Sequence, residues 1–411
     1  MAAVLKHWRE AATLILVTST NLTKRGTRLN LTSTSVSKPK MDELNNTNKT
    51  MLITEQELFM DNFEVLMLKR SGKSKFMPNV YVFPGGVAVD CDFSSQWLPV
   101  FNKLGSDVCQ KLFCSISVGS PKAAPMFTRQ RDSAFSSLPS EVAFRICAIR
   151  ETFEESGVLL AQPAQKSLNQ IHSQSRSLSP ALLHEDANVI TQWRERVNKD
   201  PNEFLKMCLE LDLVPEVWSL YEWSNWLTPT MDTNNNRRFD TAFYICCVDH
   251  KPAAAVDSGE TVNAVWASPS SLLCAHFKQK GVMAPPQVYE LSRLVNLKSA
   301  SDILILVSEP NRERVERWMP IAAVCQDAKM SIMPGDDLYP QEPVLESQEL
   351  LTFKQTLAQL SQDYPNQHRI IYGSQSLLQG DLKIKVSIPA KKGHILPDED
   401  VLDKFKMNAQ L

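Results

Sequence analysis

What this 411-residue chain lacks narrows it first. No apolar run approaches the roughly eighteen residues that cross a bilayer, so no membrane span is expected. Neither charge is in surplus: 44 Lys and Arg stand against 46 Asp and Glu, a net charge of -2. Without a domain-wide positive field the chain is not built to hold DNA or an acidic membrane. Its nine cysteines fall into no zinc-ligand spacing, since neither Cys109/Cys114 nor the adjacent Cys246-Cys247 fits one, and an odd count suits reduced thiols inside a cell. A Gly-X4-Gly-Lys-Ser/Thr phosphate loop and a Gly-X-Ser-X-Gly nucleophile elbow are both missing. What is present is enough apolar material for a core, 43% of residues, and a length that suits either two or three domains or one elaborated domain with an extension.

One stretch organises the rest. In Glu141 to Val158, Val142, Ile146, Ile149 and Phe153 recur at i, i+4, i+7 and i+11, which places them on one face of a helix. Glu151, Glu154 and Glu155 fall together on the opposite side and are expected to point outward, in the last turn before Gly157. That is an unfavourable place for three negative charges, because the helix end carries partial negative charge and Glu pairs three and four apart repel. Arg150 offsets one charge. A divalent cation would use all three carboxylates, and oxygen ligands suit Mg2+ or Mn2+; a solvated acidic helix end is the alternative.

The order Arg150-Glu151-Thr152-Phe153-Glu154-Glu155-Ser156-Gly157-Val158 resembles the second half of the Nudix box, the signature of metal-dependent hydrolases of nucleoside diphosphate derivatives. The first half departs from it, with Ser136 and Val142 where the pattern carries Gly and Glu. Upstream, Arg70-Ser71, Lys75, Asn79 and Phe83-Pro84-Gly85-Gly86 resemble the motif of coenzyme A diphosphatases, with Lys75 for Arg and Asn79 for Gly. Lys75 keeps the charge but not the bidentate fork, and Asn79 tolerates positive φ better than other non-glycine residues. The arrangement is similar to the peroxisomal acyl-coenzyme A diphosphatase subfamily, in which a long loop, here residues 87–138, separates the Pro-Gly-Gly turn from the glutamate helix. The resemblance implies an α/β fold, a Nudix α/β/α sandwich with a mixed sheet, carrying large insertions and a C-terminal extension.

Along the chain, Ala11 to Val17 reads as the first strand, with a mitochondrial presequence as a competing reading, and residues 18–50 as a flexible polar loop. Asn21, Asn30, Asn45 and Asn48 begin Asn-X-Ser/Thr triplets, which matter only in the secretory pathway. Phe63 to Leu68 reads as a strand delivering Arg70 to its end. Residues 161–187 have loop composition, and Val189 to Val197 and Asn202 to Leu213 look helical, giving an inserted region of about 160–215. Arg237 and Arg238, ahead of the strand from Phe239, either meet substrate phosphates or anchor the turn. Glu260 enters a strand closing on Trp266, and in the family a Glu there supplies a metal ligand or the general base; Glu154 is its rival. Residues 286–297 read as a helix. The Nudix domain is placed at 5–298 and the extension at 299–411, with an alternating strand from Leu382 to Ile388 and a docking role on the core.

The resemblance implies hydrolysis of the diphosphate of coenzyme A or acyl-coenzyme A, giving adenosine 3',5'-bisphosphate and (acyl-)4'-phosphopantetheine. Glu151, Glu155 and Glu154 hold the ion, Arg150 orients them, Glu154 or Glu260 serves as base, and Arg70, Lys75, Gly85 and Gly86 meet the substrate. Two other readings stay open: a Nudix hydrolase of NADH, ADP-ribose or capped RNA, and a catalytically idle binding module. Ala409-Gln410-Leu411 is a loose variant of the Ser-Lys-Leu address, so a peroxisomal import receptor and a peroxisomal location are expected, with mitochondrion or cytoplasm as alternatives. A monomer is expected.

Overall fold

The computed structural model describes residues 8–20, 61–74, 77–116, 124–164, 187–229, 238–256, 260–341, 350–372, 382–398, 402, 403 and 405. Lys75, Arg237, Ala409, Gln410 and Leu411, the four Asn-X-Ser/Thr triplets and nearly all of the 18–50 loop lie outside these residues.

A mixed sheet forms the centre. Its order is β10 (Arg317–Trp318), β7 (Tyr221–Leu227), β8 (Arg238–Val248), β1 (Trp8–Ser19), β2 (Phe63–Arg70), β3 (Tyr81–Val82), with β4 (Gly85–Val87) also on β1 and β9 (Thr261–Ala267) also on β2. The segment read as the first strand is the middle of this sheet: β1 runs parallel to β8 over eleven residue pairs, Trp8↔Arg238 to Thr18↔Val248, and antiparallel to β2. β10 on β7 is the other parallel pair.

Strict alternation sorts the central strands into two cores, because successive side chains of a strand point to opposite faces. Ala12, Leu14 and Leu16 of β1, Leu66 and Leu68 of β2, and Ala242, Tyr244 and Cys246 of β8 face the glutamate helix (Ser140–Ser156). Ile15, Val17, Val65, Met67, Phe243, Ile245 and Cys247 face the opposite layer, with helices Pro269–Phe277, Pro285–Leu294 and Ala300–Val307. The layers are therefore α/β/α.

Residues 87–138 are not a long loop. They form a 3-10 turn (Asp90–Phe93), helices Trp97–Asn102, Ser106–Ile116 and Pro125–Thr128, and a second 3-10 turn (Ser133–Phe135). Phe93, Trp97, Val100, Phe101 and Leu104 are buried in the core they share with the glutamate helix, at roughly 1.5–3 kcal/mol for each large side chain removed from water. Phe93 meets Phe144 edge-on at 5.2 Å between ring centroids, and Phe127 meets it at 5.6 Å. Further along, helices Ala187–Lys199 and Asn202–Glu210 cover the same face, and the strand β6 (Leu213–Pro215) pairs with β5 (Ala161–Pro163), so Leu213 is a strand residue and the preceding helix stops earlier than its pattern suggested.

The C-terminal part builds a second sheet, β13 (Leu351–Thr352), β11 (Ile321–Val324), β12 (Lys329–Ile332), β14 (His368–Tyr372), β15 (Leu382–Val386). Met333, Ile370, Tyr372, Leu382 and Ile384 share one apolar core with the back of the main sheet. A buried polar seam joins the two: the Tyr289 hydroxyl lies 2.7 Å from His368 Nε2, whose Nδ1 lies 2.7 Å from the Pro334 carbonyl.

Candidate active site

The glutamate helix begins after Pro139 and ends where Gly157 adopts φ 72°, a left-handed conformation that suits glycine, with the Gly157 N–H returning to the Phe153 carbonyl at 2.9 Å. Its Val142, Ile146, Ile149 and Phe153 stripe is fully buried, as the spacing requires. The opposite face is not open, however. Glu155 is only 4% exposed, and the side chains of Glu151 and Glu154 are 15% and 16% exposed, because the Gly85-Gly86 turn, the Asp90–Phe93 turn and Arg194 of the helix Ala187–Lys199 close over that face. The three carboxylates line a partly covered cleft instead of pointing into solvent.

The Pro-Gly-Gly turn lies directly against them. β4 pairs with β1 through Ala12↔Gly86 and Thr13↔Gly85, and the Gly85 N–H donates to Glu155 Oε2 at 2.9 Å. A Cβ on Gly86 would stand 2.3 Å from Glu151 Oε2, so glycine there is a condition for the carboxylate's position.

Arg150 sits buried in the middle. Its Nη1 donates to Glu151 Oε1 at 2.8 Å and Glu154 Oε1 at 2.7 Å, while Nε and Nη2 hold both oxygens of Asp92 at 2.8 Å. Asp92 was not among the residues singled out from the sequence. It lies 58 residues away on the inserted 3-10 turn, six residues after Gly86, which is the interval the box pattern sets between its Gly and its first acid. At the helix end Arg194 Nε donates to the Glu154 carbonyl at 3.0 Å, the cation that the repulsive helix terminus called for.

Arg70 and Glu260 join the cleft at its rim. The ladder between β2 and β9 shifts register at Lys69/Arg70, and the Ser71 N–H donates to the Glu260 carbonyl at 2.8 Å. Arg70 donates to Ser74 Oγ through Nε at 3.2 Å and Nη2 at 2.7 Å, and its charge acts on Glu155. Thr261 Oγ1 donates to the Glu155 carbonyl at 3.2 Å, which brings the exposed Glu260 beside the helix end. Asn79 takes φ 62°, the conformation its place in the motif suggested. Arg238 is elsewhere. It pairs with Trp8 at the start of β1, four residues or roughly 13 Å of strand from the Gly86 level, and its guanidinium stacks over the Trp8 ring at 5.0 Å. It anchors the strand and does not reach the glutamates.

The electrostatics describe a site short of positive charge. Burial pushes the Glu151 carboxyl up to about 7, with Arg150 opposing and Glu154 and Asp92 adding to the rise. Burial also raises Glu154, and raises Glu155 well above the usual carboxylate range, with the Glu151 charge adding to it. Among the described residues no three carboxylates converge as a ready-made ligand cage, since Glu151 and Glu154 lean on Arg150. The donor set nonetheless fits a hard divalent cation: clustered carboxylate oxygens, with three acids, Asp92, Glu151 and Glu154, around one buried guanidinium and Glu155 beside them.

These shifts have a sign. A Glu whose folded-state pKa lies above its unfolded value of 4.5 favours the folded state below 4.5, and that contribution is lost as pH rises through about 7. The metal-free protein should therefore lose thermal stability as the pH rises from about 4.5 to about 7, and Mn2+ should restore it most at the upper end. Melting temperatures with and without Mn2+ across roughly that range measure this; a metal-induced rise independent of pH would contradict it.

The profile described as NUDT19 Nudix domain matches residues 8–294, and the one described as NUDT19 C-terminal domain matches residues 322–378. The chain is 37% identical over 406 residues to a Xenopus laevis protein named acyl-coenzyme A diphosphatase NUDT19, covering 97% of each. It is 33% identical to the Homo sapiens protein of the same name, covering 84% of this chain and 89% of that one. A crystal structure of a Nudix hydrolase from Alicyclobacillus acidocaldarius aligns with a TM-score of 0.43 at 17% identity, over 73% of this chain and 97% of that one. The Nudix family is typically dependent on a divalent metal. With the glutamate helix, the Pro-Gly-Gly turn and a profile match through most of its length, this chain belongs to the NUDT19 family of Nudix hydrolases.

Proposed function

We propose that the chain hydrolyses the diphosphate of coenzyme A and acyl-coenzyme A esters, releasing adenosine 3',5'-bisphosphate and (acyl-)4'-phosphopantetheine. The observation that carries this reading is the juxtaposition of the buried glutamate cluster with the basic rim at the end of β2. The names of the relatives point the same way. Mg2+ or Mn2+, bound by Glu151 and Glu155 with Glu154 beside them, would supply charge neutralisation of the diphosphate and a polarised water.

The chain's own side chains do the rest. Arg150 holds Glu151 and Glu154 in place, and the bare Gly85-Gly86 backbone lets the diphosphate lie close to them. Glu154 is held by Arg150, whereas Glu260 stands exposed at the rim with its charge acting on both Glu154 and Glu155, so Glu260 is assigned to accept the proton of the attacking water. The water oxygen joins one phosphorus, the bridging P–O bond breaks, and the bridging oxygen leaves on the other product. Arg70 is assigned to the 3'-phosphate.

Incubating the purified protein and Mg2+ with coenzyme A, several acyl esters, NADH and ADP-ribose, with products identified by mass spectrometry, tests this directly. Adenosine 3',5'-bisphosphate from the coenzyme A group is the expected result. Products from NADH or ADP-ribose alone would overturn the substrate. Arg70→Ala is expected to raise KM for coenzyme A at least tenfold relative to 3'-dephospho-coenzyme A, in line with the roughly 1.5–3 kcal/mol of a charged hydrogen bond. Equal changes on the two would remove Arg70 from that role.

A further inference from the structure

Alternation along β9 breaks at one point. Ala264 and Trp266 pack into the core shared with the glutamate helix, and Val265 and Ala267 into the opposite one, so in a regular strand Thr261 would face away from the glutamates. It faces them. The ladder pairs Lys69 with Asn263 and then Arg70 with Thr261, passing over Val262, which is left 47% exposed. This bulge turns Thr261 toward the helix, where its Oγ1 donates to the Glu155 carbonyl at 3.2 Å. Resting on the function proposed above and on the place of Glu260 in it, we propose that Thr261 is a positioning residue of the reaction: its hydroxyl fixes the base Glu260 against the turn that carries Glu154 and Glu155.

Three parts of the site meet at this residue. Glu260 precedes it in the chain, with its carbonyl accepting from the Ser71 N–H at 2.8 Å. Arg70 lies opposite it in the ladder. Glu155 is held at both ends, its carboxylate by the Gly85 N–H and its carbonyl by the Thr261 hydroxyl. Thr261 is fully buried and β-branched, so its χ1 has few wells and its hydroxyl few directions.

The rest of the helix end is secured without it. The last carbonyls of a helix lack partners within the helix, and here each has its own donor: the Gly157 N–H for Phe153, Arg194 Nε for Glu154, Thr261 Oγ1 for Glu155, and the Ala255 N–H, at 2.9 Å, for Ser156. Arg194 and Ala255 come from segments other than β9 and keep the turn in place. Removing the Thr261 hydroxyl therefore leaves the helix formed, but frees the end of β9 that carries Glu260. What is lost is the spacing between the base and the metal-binding carboxylates.

Steady-state kinetics on coenzyme A with Mg2+, beside Mn2+ titration by calorimetry, test this on the full chain. Thr261→Val keeps the shape and removes the donor; it is expected to lower kcat about tenfold to a hundredfold, the scale of a reacting group displaced by up to about 1 Å. KM for coenzyme A and Mn2+ affinity should each move less than about threefold, with unchanged Mn2+ stoichiometry, since the groups that meet substrate and ion are untouched. Thr261→Ser restores the donor and should recover most of kcat. Glu260→Gln alone should lower kcat at least about a hundredfold, and Thr261→Val added to it should cost less than about threefold more, because the hydroxyl acts through the base. Wild-type kcat in Thr261→Val overturns the proposal, as does a Thr261→Ser that recovers nothing or a loss undiminished in the Glu260→Gln background. A fall in Mn2+ stoichiometry that matches the fall in kcat makes Thr261 a folding residue and also overturns it. All of these leave the proposed function standing. Wild-type turnover in Glu260→Gln removes the base, and this inference with it; a wild type that releases no product defeats the proposed function itself.

Discussion

Glu155→Gln should cut turnover of coenzyme A by about a thousandfold, equivalent to roughly 4 kcal/mol of transition-state stabilisation, while leaving the protein at least as stable as wild type. The two halves of this result have one cause. Glu155 is 4% exposed, and burial together with the Glu151 charge raises its carboxyl well above the usual range, so its charged form is a burden on the fold. A glutamine keeps an oxygen for the Gly85 N–H, which now donates to Glu155 Oε2 at 2.9 Å, and removes the charge. Kinetics with added Mg2+ and a melting curve on the metal-free protein from the same preparation measure both. Near-normal turnover would dismantle the metal-site assignment; a large drop in melting temperature would make Glu155 structural.

Gly86→Ala is expected to be the next most damaging single change, for a reason that contrasts with its neighbour. The new Cβ would fall 2.3 Å from Glu151 Oε2 and 2.5 Å from its Cδ, so the carboxylate must move. A side-chain tip moves cheaply, and the fold should survive. Displacing a reacting group by about 1 Å costs on the order of a hundredfold in rate, and kcat should fall by about that much. At Gly85 a Cβ would meet the Ala12 carbonyl oxygen at 2.5 Å and the Thr13 Cα at 2.7 Å, which are backbone atoms of β1 and cannot yield. Gly85→Ala should therefore unfold or destabilise the protein where Gly86→Ala only silences it. Comparing soluble yield and melting temperature of the two variants separates these outcomes; similar stability losses in both would refute the distinction.

The parts of this site that could be read in the sequence are those whose chemistry is local. The Val142, Ile146, Ile149, Phe153 stripe, the Gly157 stop and the run of glutamates lie within a few turns of one helix, and the stripe and the stop behave as their spacing requires. Asn79 was legible because positive φ is a single-residue property. What escaped was set by distant segments. The outward-facing glutamates turned out to be covered, because burial of the second helix face depends on segments distant in the chain: the Gly85-Gly86 turn, the 3-10 turn at Asp90–Phe93 and Arg194. Asp92 was missed because the insertion puts 58 residues between it and its partner, although its place six residues after Gly86 matches the interval of the box pattern. Arg238 went the other way. Adjacent to a motif in sequence, it is carried off the site by the parallel register of β8 on β1.

The back of the main sheet carries a consequence for how this chain is inherited. Val65, Met67, Phe243 and Ile245 share one core with helices Pro269–Phe277, Pro285–Leu294 and Ala300–Val307 and with Met333, Ile370, Leu382 and Ile384, and Arg317–Trp318 extends the main sheet itself. The two segments matched by separate profiles are thus halves of one oil-tight shell. A premature stop between them would not release a smaller enzyme with its chemistry intact; it would leave one side of that shared apolar core bare, a target for chaperones and proteases. The glutamates of the front and the strands of the far end, which never touch, are bound to be gained or lost together.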